Sequence, residues 1–64
     1  MYKNLKAEML KQNVSIKTIS QELKLREDTI YRKIKGLINI NISEAKKIKN
    51  LFKENNDLEY LFEE

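Results

Sequence analysis

The sequence predicts an all-α domain of five short helices, and three observations carry that prediction. Proline is absent and glycine occurs once, while leucine, lysine and glutamate are common, a composition that favours helix throughout. Apolar residues recur three and four apart in successive segments, each fitting one buried helical face. Capping and turn residues punctuate those segments, with no linker, repeat or low-complexity tract between them. A chain of 64 residues allows one domain, 1–64. So short a chain buries only roughly 60% of its unfolded surface, so its core must be compact and locally built.

The elements follow in order. Residues 2–12 place Tyr2, Leu5 and Met9 at helical spacing, with Ala7 and Leu10 beside them and lysines on the other face. Asn13 and Val14 break the pattern, and Ser15 offers a hydroxyl N-cap to a second helix of about eight residues, whose apolar face is Ile16, Ile19 and Leu23. Lys24-Leu25-Arg26 is a tight connection in which Leu25 is expected to plug the space between helices. A third helix spans 27–35, with Glu27 and Asp28 at its positive end, bases in its last turn and Gly36 as its stop. Ile30 and Ile34 share its inner face, which leaves Glu27, Asp28, Tyr31, Arg32 and Lys35 outside.

Residues 37–42 alternate apolar and polar, but a lone strand cannot satisfy its backbone, so they are expected to form an extended loop tucking its isoleucines into the core. Ser43 is expected to cap a fourth helix that buries Ala45, Ile48, Leu51 and Phe52 and ends at Asn55-Asn56. Asp57 opens a last short helix, Leu58 to Phe62, before an acidic end. Tyr60 and Phe62 fit either core or a dimer contact, with core favoured in so small a chain.

Composition also excludes functions. With no cysteine and no histidine there is no disulfide, no thiolate nucleophile and none of the usual zinc or acid–base side chains, so no metal, cofactor or catalytic site is expected. The adjacent Glu27 and Asp28 at an exposed helix start make no acid–base pocket. No apolar stretch approaches the ~20 residues of a membrane span, and Met1 to Leu10 hold no signal-peptide block, so a cytoplasmic location and no membrane partner are expected. Charge is segregated. Residues 1–53 hold all 13 basic side chains and five acids, a net +8, whereas 54–64 hold five acids and no base, a net −5. That asymmetry suits a polyanion binder whose tail points away from the anion, or simply a lysine-solubilised helical domain.

The informative unit is helix, three-residue turn, helix at about 15–35, the spacing of a helix-turn-helix whose second helix can enter the major groove. The stretch from Thr18 to Gly36 resembles the helix-turn-helix of the Cro/phage-repressor (XRE-type) transcriptional regulators. The ending Thr29-Ile30-x-x-Lys33-Ile34-x-Gly36, the later Ser43-Glu44-Ala45-x-x-Ile48 and the closing Leu58-Glu59-Tyr60-Leu61-Phe62 are similar to short phage-derived members, as is the opening Tyr2-Lys3-Asn4-Leu5. The resemblance implies a repressor or Cro-like protein with double-stranded DNA as partner, acting as a homodimer on a palindromic operator and without a small-molecule substrate.

Three positions depart from that pattern. Ser20 stands where alanine is usual, which keeps a small residue at the helix contact. Lys24 stands where the turn usually has glycine. A lysine at positive φ would cost ~1 kcal/mol, so a differently shaped turn is expected. Arg26 replaces a capping serine or threonine, losing a cap worth roughly 1 kcal/mol while placing a cation near the DNA backbone.

Candidate contacts follow from reach and chemistry. Arg32 can donate two hydrogen bonds to guanine, unless it pairs with Asp28 one turn earlier. Tyr31 can touch a thymine methyl or a phosphate, unless it packs on the 37–42 loop; Lys35 follows it on the same face. Asp28 contacts bases only by accepting a cytosine amine, and otherwise joins Glu27 in stabilising the helix start. Phosphate contacts are expected from Ser15, Lys17 and Thr18 at the start of the second helix, with Arg26, Asn39 and Asn41 flanking the groove on the other side. Lys46, Lys47 and Lys49 read as ordinary surface. The rival from another class is a protein-interaction module on the same scaffold, antirepressor or antitoxin-like, kept alive by the acids on the third helix. An RNA binder using Tyr31 as a stacking platform lacks any supporting aromatic sheet or glycine loop.

Overall fold

The computed structural model describes residues 2–64, in which five α-helices enclose one apolar cluster. They are α1 (Lys3–Gln12), α2 (Ile16–Leu23), α3 (Glu27–Ile34), α4 (Ile42–Lys49) and α5 (Leu58–Leu61). The described residues contain no strand and no helix long and apolar enough to cross a membrane. Leu5, Val14, Ile19, Ile30, Ile34, Ile48, Phe52 and Leu61 form the cluster, so every helix contributes to it. The helix α2 packs on α3 and α4, while α5 bridges α1 and α4. Tyr60 and Phe62 lie on the core side, half-buried against the cluster, and the Phe62 ring meets Tyr2 edge-on at 5.5 Å.

Helix ends explain why the segments are so short. Asn13 adopts a left-handed conformation (φ 59°) and its N–H returns to the Met9 carbonyl, as does that of Val14. Asparagine tolerates this conformation better than most residues, and the turn it makes points Val14 into the core. Ser15 then caps α2, its Oγ accepting from the Thr18 N–H at 3.1 Å. At the far end Lys24 does take the left-handed conformation (φ 58°), so the turn keeps the shape that glycine usually allows. The Lys24 and Leu25 N–H groups both donate to the Ser20 carbonyl, and half-buried Leu25 packs on the core rather than being sealed within it. Those gains offset a local strain of about 1 kcal/mol. Gly36 (φ 84°) closes α3 one residue after Lys35, which lies just past the helix, with its N–H on Lys33 O and that of Leu37 on Arg32 O at 2.9 Å.

The second half departs from the sequence expectation in three places. Asn41, not Ser43, caps α4. Its Oδ1 accepts from the Glu44 N–H at 2.8 Å, and the Glu44 carboxylate accepts from the Asn41 N–H, a reciprocal pair that Ser43 cannot form from inside the first turn. The helix stops at Lys49, well before Asn55-Asn56, by tightening into i to i+3 bonds: Leu51 N–H to Ile48 O and Phe52 N–H to Lys49 O. Phe52 is still buried and Leu51 half-buried, which is why apolar spacing alone reads as continued helix. The third departure is the 37–42 loop. Leu37 is 72% and Ile42 67% exposed, Ile38 is exposed and Ile40 half-buried, so the isoleucines are not core residues.

What holds the loop is polar. Lys33, only 8% exposed, turns its ammonium from α3 to the Asn39 carbonyl at 2.9 Å and to Glu44 Oε1 at 3.0 Å. A second buried charge ties the ends of the chain together. Glu8, 1% exposed, accepts hydrogen bonds from Gln12, Asn55 and the Tyr60 hydroxyl, with Lys11 at 3.9 Å. The Gln12 bond, seconded by those from Tyr60 and Asn55, holds the Glu8 carboxyl below its usual range against the opposing effect of burial. Donating its hydrogen bond to the Glu8 carboxylate, with burial beside it, pushes the Tyr60 hydroxyl up. Asn4 donates to the Tyr60 carbonyl, and the Gln12 side chain also bridges to the backbone of Lys53 and Glu54.

Candidate nucleic-acid interface

Burying Ile30 and Ile34 fixes the rotation of α3, and the turn at Lys24 fixes its angle to α2. Tyr31, Arg32 and Lys35 are thereby directed to solvent. The Lys35 ammonium lies 5.1 Å from the centre of the Tyr31 ring, a cation–π contact that braces both side chains. Tyr31 borders a groove that residues of α1 also line. Arg32 makes no ion pair among the described residues, because the Asp28 carboxylate turns back to Arg26 Nε at 3.5 Å. Both partners of that pair are well exposed, so it adds little stability but partly neutralises the acid nearest the outer face of α3.

All ten residues expected to touch DNA are exposed, though they are not equally free. Lys17 extends from the first turn of α2 beside Thr18, whose Oγ1 lies 3.0 Å from Ser15 Oγ. Because Ser15 already accepts the Thr18 N–H, the Ile16 and Lys17 N–H groups are what the start of α2 still offers an anion. Ser15, Tyr31 and Lys35 border the same groove, so the start of α2 and the end of α3 form one surface. Arg26 stands just before α3 without capping it through its side chain. On the other flank Asn39 gives its carbonyl to Lys33 and keeps its side chain exposed. Asn41 is the least free, because its carbonyl oxygen is committed to capping α4.

Lys33 and Glu44 were not singled out by sequence reasoning, yet they fix the loop that carries Asn39 and Asn41. The signal was present: Lys33 lies one turn from Ile30 at the edge of the apolar face of the helical projection, and a lysine so placed calls for a buried partner. Glu44 is three residues beyond Asn41, the spacing of a capping pair. Among the described residues no three carboxylates converge in a way that would hold a metal ion.

Comparison of the chain with protein-family models, with curated proteins and with solved structures found no match.

Proposed function

We propose that this protein is a sequence-specific double-stranded DNA-binding transcriptional regulator that inserts α3 into the major groove. One observation carries the reading: α2 and α3 are joined by a tight turn with Lys24 in the left-handed conformation, and α3 presents Tyr31, Arg32 and Lys35 outward beside the open start of α2. In this reading the Ile16 and Lys17 N–H groups and the Lys17 ammonium grip one phosphate strand, while Arg26 and Asn39 flank the other. Arg32 reads a guanine edge, Tyr31 and Lys35 contact the neighbouring step, and Asp28 is left to pair with Arg26. The acidic α5 end, on the α1 and α4 side of the molecule, stays clear of the duplex.

The test is a salt titration of binding to the DNA upstream of its own gene, against a scrambled duplex of equal length. A steep negative slope with at least ~1000-fold preference for the upstream DNA is expected. Arg32→Ala should relax preference at one base position, costing about 1–3 kcal/mol there, while Lys17→Ala should weaken all sequences alike and flatten the slope by about one unit. Failure to bind either duplex at low salt would sink the reading and point to a protein partner at the exposed start of α3.

A further inference from the structure

The groove that Ser15, Tyr31 and Lys35 border has a chemistry of its own. It runs between α1 and α3, has a volume of about 350 Å³, and its apolar lining is Met9, Leu10, Val14, Ile16, Tyr31 and Ile34. Leu10 is 77% exposed, the most exposed large apolar side chain among the described residues, and it forms a wall of an apolar trough instead of standing alone on a polar surface. The volume is in the range of small-molecule sites, which are typically apolar with a few polar groups that fix orientation.

The charged groups of the lining, Lys6 and Lys35, carry one sign, and Asn13 and Ser15 add only uncharged polar groups. The Tyr2 N–H bonds to the Ile34 carbonyl, so the start of α1 meets the end of α3. Lys6 lies one turn beyond Tyr2, and Lys35 follows Ile34. Both lysines line the groove, neither forms an ion pair among the described residues, and no acid lines it. From Lys6 to Asn13 the trough is about 10 Å long at the helical rise per residue, room for a chain of about ten carbons.

We propose that this groove binds a free anionic amphiphile, a medium-chain carboxylate, with its chain along α1 and its carboxylate between Lys6 and Lys35, and that the bound molecule releases DNA. Charge complementarity selects this occupant. A docked acidic helix would call for cations along the rim, whereas both cations stand where a single headgroup would lie. The release rests on the DNA-binding reading: the ligand engages Lys35 and lies against Tyr31, two of the side chains that reading gives to the DNA.

The first measurement needs no DNA. Decanoate is titrated into the protein below its aggregation concentration while side-chain methyl resonances are followed by NMR. Saturable shifts confined to Met9, Leu10, Val14, Ile16 and Ile34 are expected, with decanol binding about tenfold more weakly for want of the charge. Leu10→Ser, at an exposed position, should weaken decanoate about tenfold with an unchanged melting curve. Lys6→Gln should erase most of the difference between decanoate and decanol. Shifts scattered over the surface, equal binding of decanol, or no saturation would overturn the proposal. So would a dimer of the free protein that Leu10→Ser dissolves, since a second copy would then cover the groove. The second measurement repeats the DNA titration with decanoate present. Weakened DNA binding by the unmodified protein but not by Leu10→Ser is expected, and unchanged DNA binding at saturating decanoate would overturn the release. If the protein binds neither duplex, the regulator reading fails while the NMR result still decides the site.

Discussion

Replacing Lys33 by methionine tests whether a buried ion pair, and not apolar packing, holds the loop after α3. The substitution keeps the buried stem and removes only the ammonium, which donates to Asn39 O at 2.9 Å and Glu44 Oε1 at 3.0 Å. Charge-assisted bonds contribute about 1.5–3 kcal/mol each, and removing the ammonium also removes its own desolvation cost. Glu44 would not be fully orphaned, because its side chain is 19% exposed and still accepts the Asn41 N–H. The net loss should therefore fall below the ~3–5 kcal/mol of a sealed pair, at about 2 kcal/mol. A domain of this size has roughly 3–10 kcal/mol in total, so the loss is a large fraction. In urea, followed by circular dichroism at neutral pH, a slope of about 1 kcal/mol per molar converts it to a midpoint lowered by about 2 M. Glu44→Gln and the double variant complete the cycle, and a coupling of at least about 1 kcal/mol is expected. An unchanged or raised midpoint for Lys33→Met, or a coupling within about 0.3 kcal/mol of zero, would refute the reasoning and return the loop to apolar packing.

Three further outcomes follow from the caps and the buried acid. Asn41→Ala should cost about 1 kcal/mol and Ser43→Ala less than about 0.5, a ranking that urea midpoints decide and that reverses if Ser43 is the cap. Lys24→Gly should raise stability by about 0.5 kcal/mol, because relief of the left-handed strain exceeds the added freedom of the unfolded chain; a loss of that size would show that the lysine is not strained. Glu8 has a carboxyl held below its ordinary 4.5, so the stability it contributes is fully present above that value and is lost as pH falls through the lower folded value. Glu8→Gln should accordingly flatten the acid limb of a stability-against-pH curve below about pH 4.5, and an acid limb as steep as that of the unmodified protein would place the sensitivity elsewhere.

The parts of the fold that could be read from sequence are those in which one residue type answers a local need. Ser15, Gly36 and Asp57 stand next to helix boundaries, and Ile19, Ile30, Ile34 and Ile48 recur at spacings that only a helix brings to one face. Where two residues competed for one role, the reading failed. Asn41 and Ser43 are both N-cap types, and what separates them is Glu44, three residues beyond Asn41 and only one beyond Ser43. Leu51 and Phe52 fit both an α-helical and a tightened turn, since each puts them inside. The loop isoleucines misled because alternation suggests burial, whereas the loop is held by a polar contact, the Lys33 ammonium donating to the Asn39 carbonyl. The candidate contacts were legible as exposed residues, since the buried isoleucines of α3 fix the opposite face. The groove beside them was not, because Lys6 and Leu10 meet Tyr31 and Lys35 only after Tyr2 bonds to Ile34.

The buried carboxylate of Glu8 also bears on the order in which the molecule assembles. Its partner Gln12 is one turn away, but Asn55 and Tyr60 lie 47 and 52 residues along the chain. The contacts between α2 and α3 close short loops and can form early, while those between α1 and α5 must await nearly complete ordering of the chain. Were α1 to dock before α5 arrives, it would place an ionised carboxylate in the core with much of its hydrogen bonding unmet. Partly folded states of that kind are penalised, which favours α1 and α5 joining and leaving the structure together. A chain with little core to enforce cooperativity by area alone obtains it from one charge whose partners stand at the other end of the sequence.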